Sequence, residues 1–179
     1  EDNILELTDL INQLCEEETF DNELTLAKVV TIFKKGDTKS LHNYRPISLL
    51  NTFVKITAAA AKNRIESGTD RDLLSSQCGV RKHRSTIHAM VATRRTQERA
   101  EREGISLPMF FLDWSKAFDR IEHSSIIAVL DAFNIPPRLL HIIKKLYATP
   151  SFYAQVKTNK SKRLPQIRGI RQGCPLSPY

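Results

Sequence analysis

The stretch Met109–Asp119 constrains this chain more than any other. Four consecutive apolar residues, beginning at Met109, lead directly into the carboxylate of Asp113. A short apolar run that contains aromatic residues and follows a glycine and a proline is typical of a buried strand. A buried carboxylate without a partner costs several kcal/mol. We therefore expect Asp113 at the end of a strand, facing an arginine, a helix N-terminus or a metal ion.

The charge and composition limit the classes of function. The 179 residues carry a formal net charge of +7, and the clustering of the basic residues favours a surface that binds a polyanion. No apolar run reaches the roughly 18 residues of a membrane span, so we expect no membrane partner. The three cysteines lack the spacing of a metal site, which predicts reduced thiols in an intracellular protein.

The N-terminal third predicts a helix followed by a basic hairpin. Helical spacing of apolar residues covers residues 3–16, and an acidic loop follows around Glu18. We expect strands over residues 26–33 and 44–50, because the first is rich in β-branched residues and the second favours an extended backbone. The turn and its flanks carry four cations, Lys34, Lys35, Lys39 and Arg45. Such cations can bind phosphates or can simply face solvent, and the residues alone favour a solvent-facing turn.

A second basic block lies in the middle of the chain. A helix over residues 53–67 is followed by the block Gln77–Thr86, which is rich in arginine, lysine and histidine. The next helix, residues 87–102, is expected to bury Ile87, Met90 and Val91 and to expose an arginine-rich face.

The C-terminal third predicts two helices and another hairpin. Ser124 or Ser125 is expected to cap the first helix, and Pro137 suits the first turn of the second. Strands are expected over residues 152–157 and 163–167. The loop Gly169–Pro178 then offers backbone N–H groups, an arginine and a glutamine to whatever lies in front of it.

Four blocks, in this order, resemble the reverse transcriptase domain of non-LTR (LINE-like) retrotransposons. They are Lys34–Asp37 with Asn43–Leu50, Gln77–Thr86, Phe111–Asp119 and Gly169–Pro178. Together they cover residues 28–178, so the match is far stronger than any single block. Reverse transcriptases of the group II intron type share the general order and are the nearest alternative.

The resemblance implies an α+β fold of the right-hand polymerase type. Residues 1–25 would lead into the fingers, residues 26–105 would form the fingers, and residues 106–179 would form part of the palm. The chain would be truncated before the family's Asp-Asp hairpin. Its partners would be an RNA template, a DNA primer and deoxynucleoside triphosphates, with a linked endonuclease in the full-length protein and a nuclear location.

The resemblance also implies a two-ion Mg²⁺ site. Asp113 matches the first metal-binding aspartate of the family, and the backbone carbonyl of Trp114 would be the neighbouring ligand. Oxygen ligands suit Mg²⁺, and two ions about 4 Å apart activate the nucleophile and neutralise the leaving group. The second set of carboxylates would be missing, so we expect the isolated chain to be inactive.

The remaining site residues also follow from the resemblance. Phe118 matches the aromatic gate that excludes a ribose 2′-hydroxyl, although the residue alone is typical of an ordinary core phenylalanine. Asp119 could be a second carboxylate of the site, but its position near the next helix favours a turn or cap role. Residues expected at the deoxynucleoside triphosphate are Lys34 or Lys35, Arg45, Gln172 and Gly173. Residues expected on the template backbone are Arg81, Lys82 and Arg84.

The chain departs from the family pattern at two positions of the second block. Val80 stands where phenylalanine is usual, and His83 stands where glycine is usual. Two alternatives to a polymerase piece remain open. One is a nucleic-acid-binding remnant of a mobile element without catalysis, and the other is a basic structural domain.

Overall fold

The computed structural model describes residues 2–17 and 20–179 of the chain. The predicted acidic loop at Glu18 and the first position of the predicted N-terminal domain lie outside these residues. In the described part, seven α-helices and five strands make a mixed α+β fold, which confirms the predicted class. The division into fingers and palm stays a prediction.

Most of the predicted elements are present in the predicted order, with small shifts at their ends, and the exceptions are described below. The helices are α1 (Asp2–Glu16), α2 (Asn22–Thr25), α3 (Thr52–Thr69), α4 (Thr86–Glu103), α5 (Ala117–Arg120), α6 (His123–Ala132) and α7 (Pro137–Ala148). The strands are β1 (Leu26–Phe33), β2 (Tyr44–Leu49), β3 (Ser151–Val156), β4 (Asn159–Lys160) and β5 (Leu164–Pro165). None of the described helices is both long enough and apolar enough to cross a bilayer.

Strand β1 organises the sheet. It pairs antiparallel with β2, so that Val29 lies opposite Ser48, and parallel with β3, so that Ala27 lies opposite Phe152. The short strands β4 and β5 both pair antiparallel with β3. The strand predicted over residues 163–167 is shorter in the structure, because only Leu164 and Pro165 pair with β3.

The core lies between α3, α7 and the C-terminal loop. Asn51 caps α3 by accepting a hydrogen bond from the N–H of Phe53, and Pro137 begins α7 as predicted. Val54 of α3 and Ile143 of α7 are completely or almost completely buried. Cys174 and Leu176 of the C-terminal loop belong to the same cluster. Helix α6 begins at His123 after Glu122, so the predicted caps at Ser124 or Ser125 are wrong.

A buried lysine fastens the end of α1 to α7. The ammonium group of Lys145 donates hydrogen bonds to the carbonyl oxygens of Leu14 and Cys15, at 3.0 and 2.9 Å, and to that of Glu17. These bonds satisfy carbonyls that the end of a helix leaves without partners. The same ammonium lies 4.6 Å from the ring centroid of Phe20. The rest of α1 has no buried residue.

The predicted strand at Met109–Leu112 is wrong. Residues 105–114 have no regular secondary structure, and Phe110, Phe111 and Leu112 are more than 80% exposed. A strand exists only where its backbone groups pair with a neighbour, and no described strand pairs with this segment. The apolar run has side chains that suit a strand, but its backbone has no neighbouring strand to pair with among the described residues.

Helix α4 differs from the prediction in the same way. The helix forms and ends at Gly104 in the left-handed conformation, but it has no buried residue. Ile87, Met90 and Val91, which were expected to be buried, are exposed. We call residues 86–114, which comprise α4 and the apolar segment after it, the exposed arm.

Candidate active site

A small cleft forms where the C-terminal loop meets β2 and α5. We call residues 169–178 the cleft loop. The cleft has a volume of about 180 Å³, and its wall combines residues of the sheet, of α5 and of the cleft loop. The residues that line it are Val29, Pro46, Ser48, Asp119, Phe152, Gln166, Arg168, Gly169, Ile170 and Gln172.

Gly173 lets the cleft loop lie directly on β2. The N–H of Ser48 donates to the carbonyl of Gln172 at 2.7 Å. Gly173 has φ +124°, and a Cβ atom there would lie 2.5 Å from the carbonyl oxygen of Ser48. Gly173 thus allows a close backbone approach to β2, and its predicted place beside the nucleotide stays a prediction.

The other end of the cleft loop is fixed against α5. The N–H groups of Gly169 and Ile170 donate to the carbonyls of Ile121 and Phe118, at 2.7 and 2.9 Å. A Cβ atom on Gly169, which has φ +79°, would lie 2.9 Å from the carbonyl oxygen of Asp119. The first half of the cleft loop is thus held by backbone contacts at Gly169 and Ile170 and again at Gln172 and Gly173, which gives the side chains there defined positions.

Gln172 and Asp119 meet in the cleft. The amide nitrogen Nε2 of Gln172 donates to Oδ1 of Asp119 at 3.3 Å. The sequence interpretation treated Asp119 as a turn or cap residue and missed this contact. The signal available in the sequence was the position of Asp119 next to Phe118, because neighbouring residues in a turn can face two different surfaces.

Phe118 lies on another surface, away from Gln172. Its half-exposed side chain lines an apolar cavity of about 370 Å³ together with Ile121, Val129 and Phe133. In the hydrogen bonds described above, Phe118 contacts the cleft loop through its backbone carbonyl. The gate role predicted for this residue stays a prediction.

Asp113 and Trp114 lie at the end of the exposed arm. Both are exposed, with Trp114 at 78% of its full accessibility. Within residues 2–17 and 20–179, no three His, Cys, Asp or Glu side chains are grouped closely enough to hold a metal ion. One carboxylate and one backbone carbonyl do not make a two-ion centre, so the described residues do not by themselves fit the predicted Mg²⁺ pair.

The cations of the basic hairpin are exposed. The backbone N–H of Lys34 donates to the carbonyl of Asn43 at 2.8 Å and closes the turn, while the side chains of Lys34 and Lys35 face solvent. Arg45 pairs with Ile32 in the ladder. Since side chains alternate along a strand, Arg45 projects from the face opposite Pro46 and Ser48, which line the cleft.

Arg81 holds its own loop together. Its guanidinium donates to Oδ1 of Asp70 at 2.8 Å, to the carbonyl of Asp70 at 2.6 Å and to the carbonyl of Leu74 at 2.9 Å. The hydrogen bond from Arg81 lowers the pKa of the Asp70 carboxyl below its ordinary value. Most donors of Arg81 are therefore engaged within the chain, whereas Lys82 and Arg84 are exposed.

The same loop contains the two departures from the family pattern, and both have positive φ angles. Val80 has φ +53° and His83 has φ +59°. This left-handed region suits glycine, and it is costly for a β-branched residue such as valine. The glycine that is usual at the position of His83 thus has a physical reason, and this chain adopts the same conformation without it.

Arg171 is buried, which the sequence interpretation did not foresee. It is 4% exposed, and its Nε and Nη2 atoms have no hydrogen-bond partner among the described residues. Burial lowers the pKa of its guanidinium, and burial raises the pKa of the neighbouring Tyr147. The sequence interpretation counted Arg171 among the groups that the loop offers to a ligand, whereas the structure buries its side chain.

Comparison with known proteins identifies what this arrangement resembles. Residues 32–179 match the family described as reverse transcriptase (RNA-dependent DNA polymerase). The chain is 35% identical over 144 residues to a 149 kDa protein of transposon TX1 from Xenopus laevis, which covers 80% of the chain and 11% of that protein.

Two further relatives come from insects. A Pol polyprotein of retrotransposable element R2 from Nasonia vitripennis is 29% identical over 156 residues, 85% of the chain and 15% of that protein. An RNA-directed DNA polymerase of mobile element jockey from Drosophila melanogaster is 29% identical over 158 residues, 85% of the chain and 17% of that protein. The chain thus spans less than a fifth of the length of each of these three relatives.

Proposed function

The chain belongs to the reverse transcriptase family, in its non-LTR retrotransposon branch, and on that premise we propose that it serves RNA-templated addition of deoxynucleotides to a DNA primer. The observation that carries the proposal is the cleft, because residues from three blocks of the family pattern meet there. Gln172 of the fourth block lies against Asp119 of the third, and both line the wall beside Ser48 of β2. We assign the incoming nucleotide to this cleft.

The substrates and partners follow from the same premise. The RNA template, the DNA primer and the deoxynucleoside triphosphates are the partners of this reaction. The contact of Phe118 with the sugar stays a prediction, because its side chain lines a different cavity from the cleft. Lys34 or Lys35 would contact the triphosphate, since exposed cations suit phosphate. The same role for Arg45 stays a prediction, because Arg45 projects from the face opposite the cleft. Lys82 and Arg84 would track the template backbone, and Arg81 would hold the loop that presents them.

Asp113 is our candidate for one metal-binding carboxylate. The family uses divalent metal ions, and Asp113 with the carbonyl of Trp114 offers the oxygen ligands that Mg²⁺ prefers. Because the described residues contain no complete ligand set, the proposal gives Asp113 only a share of the site. The linked endonuclease and the nuclear location also stay predictions.

The test is primer extension on an RNA template by the longest polypeptide that the gene encodes around this segment. We expect Asp113→Ala to abolish extension, by about 10³-fold or more for the loss of a metal ligand, and to leave nucleic-acid affinity nearly unchanged. The matched control is Asp131→Asn, an exposed carboxylate of α6. Normal extension by the Asp113→Ala variant would overturn the assignment.

A second candidate function is nucleic-acid binding without catalysis. One observation favours it: the net charge of +7, which suits a polyanion. In that case the unsubstituted polypeptide would bind RNA with strong salt dependence and would extend no primer. The relatives named above give no support to the group II intron alternative.

A further inference from the structure

We propose that Asp119 is a positioning residue that orients the side-chain amide of Gln172 in the cleft. The inference rests on the proposed function and adds a residue that the sequence pattern assigned to a turn. Asp119 would act through Gln172, without touching the nucleotide itself. The contact that carries the inference is the 3.3 Å hydrogen bond from Gln172 Nε2 to Asp119 Oδ1.

The two residues are held toward each other by their backbones. On one side, the carbonyl of Gln172 accepts from Ser48 of β2. On the other, the backbone of Asp119 packs against Gly169, where no Cβ atom would fit. The Gly169 and Ile170 N–H groups bond to the carbonyls of Ile121 and Phe118, on either side of Asp119. The side-chain contact therefore joins two backbones whose separation is already fixed.

The chemistry of the carboxylate decides which end of the amide faces it. An ionised carboxylate only accepts hydrogen bonds, so the NH₂ end of Gln172 must face Asp119. The carbonyl oxygen Oε1 is then left as an acceptor in the cleft. A ligand group that meets Oε1 must be a donor, such as a sugar hydroxyl or the amino group of a base.

Two other polar side chains of the cleft already have partners. Arg168 forms an ion pair with Glu122 at 3.5 Å, and Gln166 donates to the carbonyl of Gly169 at 2.9 Å. His123 also bonds to this carbonyl. Gln172 is thus well placed to recognise a ligand, and Asp119 sets the polarity that it presents.

The first test measures the contact directly in the 179-residue chain. Asp119→Asn preserves the shape of the side chain but allows the Gln172 amide to reverse, since asparagine both donates and accepts. We expect the side-chain amide resonances of Gln172 to shift in the NMR spectrum of Asp119→Asn and to stay in place in Asp131→Asn. Unchanged Gln172 resonances in Asp119→Asn would overturn the proposal, whether or not the protein polymerises.

The second test measures the consequence for the reaction. In primer extension, we expect Asp119→Asn to raise KM for the deoxynucleotide about fivefold, as expected for one hydrogen bond, with a smaller change in kcat. In a Gln172→Ala background, the same substitution should add nothing, because the two residues act as one unit. A full Asp119→Asn effect without Gln172 would contradict the positioning role.

The two tests separate this inference from the proposed function. If the unsubstituted polypeptide extends no primer, the proposed function fails, and the contact loses its role in the reaction even if NMR shows it. If extension is normal and Asp119→Asn has the same effect with and without Gln172, the proposed function stands and the positioning role is wrong.

Discussion

The cleft loop and the exposed arm both carry family motifs, but only the cleft loop is packed. Residues 169–178 bond to β2 and α5 and send Cys174 and Leu176 into the core. Residues 86–114 contain a more apolar run, yet they bury no side chain of α4 and leave Phe110 88% exposed. Hydrophobicity selects the residues that can be buried, whereas a fixed partner surface decides which of them are.

The largest effect expected from this contrast concerns two leucines. Leu176→Ala removes a side chain that is 8% exposed and belongs to the core, and it should lower the free energy of unfolding by about 3 kcal/mol. Leu112→Ala, at 84% exposure in the arm, should change it by less than about 0.5 kcal/mol. Urea denaturation of both variants measures the difference. Equal losses would mean that the arm is packed in solution.

A smaller difference is expected between two glycines with positive φ. Gly173→Ala places a Cβ atom 2.5 Å from the carbonyl oxygen of Ser48, and the resulting clash and strain should cost about 2 kcal/mol. Gly104→Ala, at the end of α4, meets no atom within 4 Å and should cost only about 1 kcal/mol of backbone strain. The same denaturation experiment compares them. A harmless Gly173→Ala would show that the cleft loop does not lie on β2.

The smallest effect concerns the pH dependence of the loop that leads into the arm. Because Arg81 lowers the pKa of Asp70, the pair stabilises the folded chain at pH values above the ordinary carboxyl range near 3.8. That contribution is lost as the pH falls through the pKa of the folded state. Asp70→Asn should abolish this part of the acid sensitivity, measured as the urea midpoint at neutral and acidic pH. Exposed Asp72→Asn is the control and should retain it.

The sequence predicted the elements better than their environments. The bounds of β1 were predicted correctly, and those of α3, α4 and α7 nearly so, because local periodicity and Pro137 determine them. The strand at Met109 failed because pairing depends on a neighbouring backbone that no local pattern contains. The burial of Arg171 was missed for a similar reason, since a charged residue in a Gly-Pro loop carries no sign of burial.

The candidate site shows the same division. The sequence identified Gln172, Gly173 and the block around Asp113 by their type and order. It did not show that Asp119 would face Gln172 while Phe118 lined a different cavity, since that depends on how a four-residue helix turns. Nor did it show that Arg45 projects from the opposite face to the cleft, which follows from the ladder register.

The attachment of α1 through Lys145 has a consequence for local opening. The ammonium group holds only the last turn of this helix, and the remainder contributes no buried residue. Segments with few buried contacts open at a lower free energy than the core does. The amide hydrogens of α1 should therefore exchange with solvent in events that leave α3 and α7 closed, because the helix is attached through its C-terminal end, by Lys145, by the Arg138–Glu16 ion pair and by the packing of Leu14.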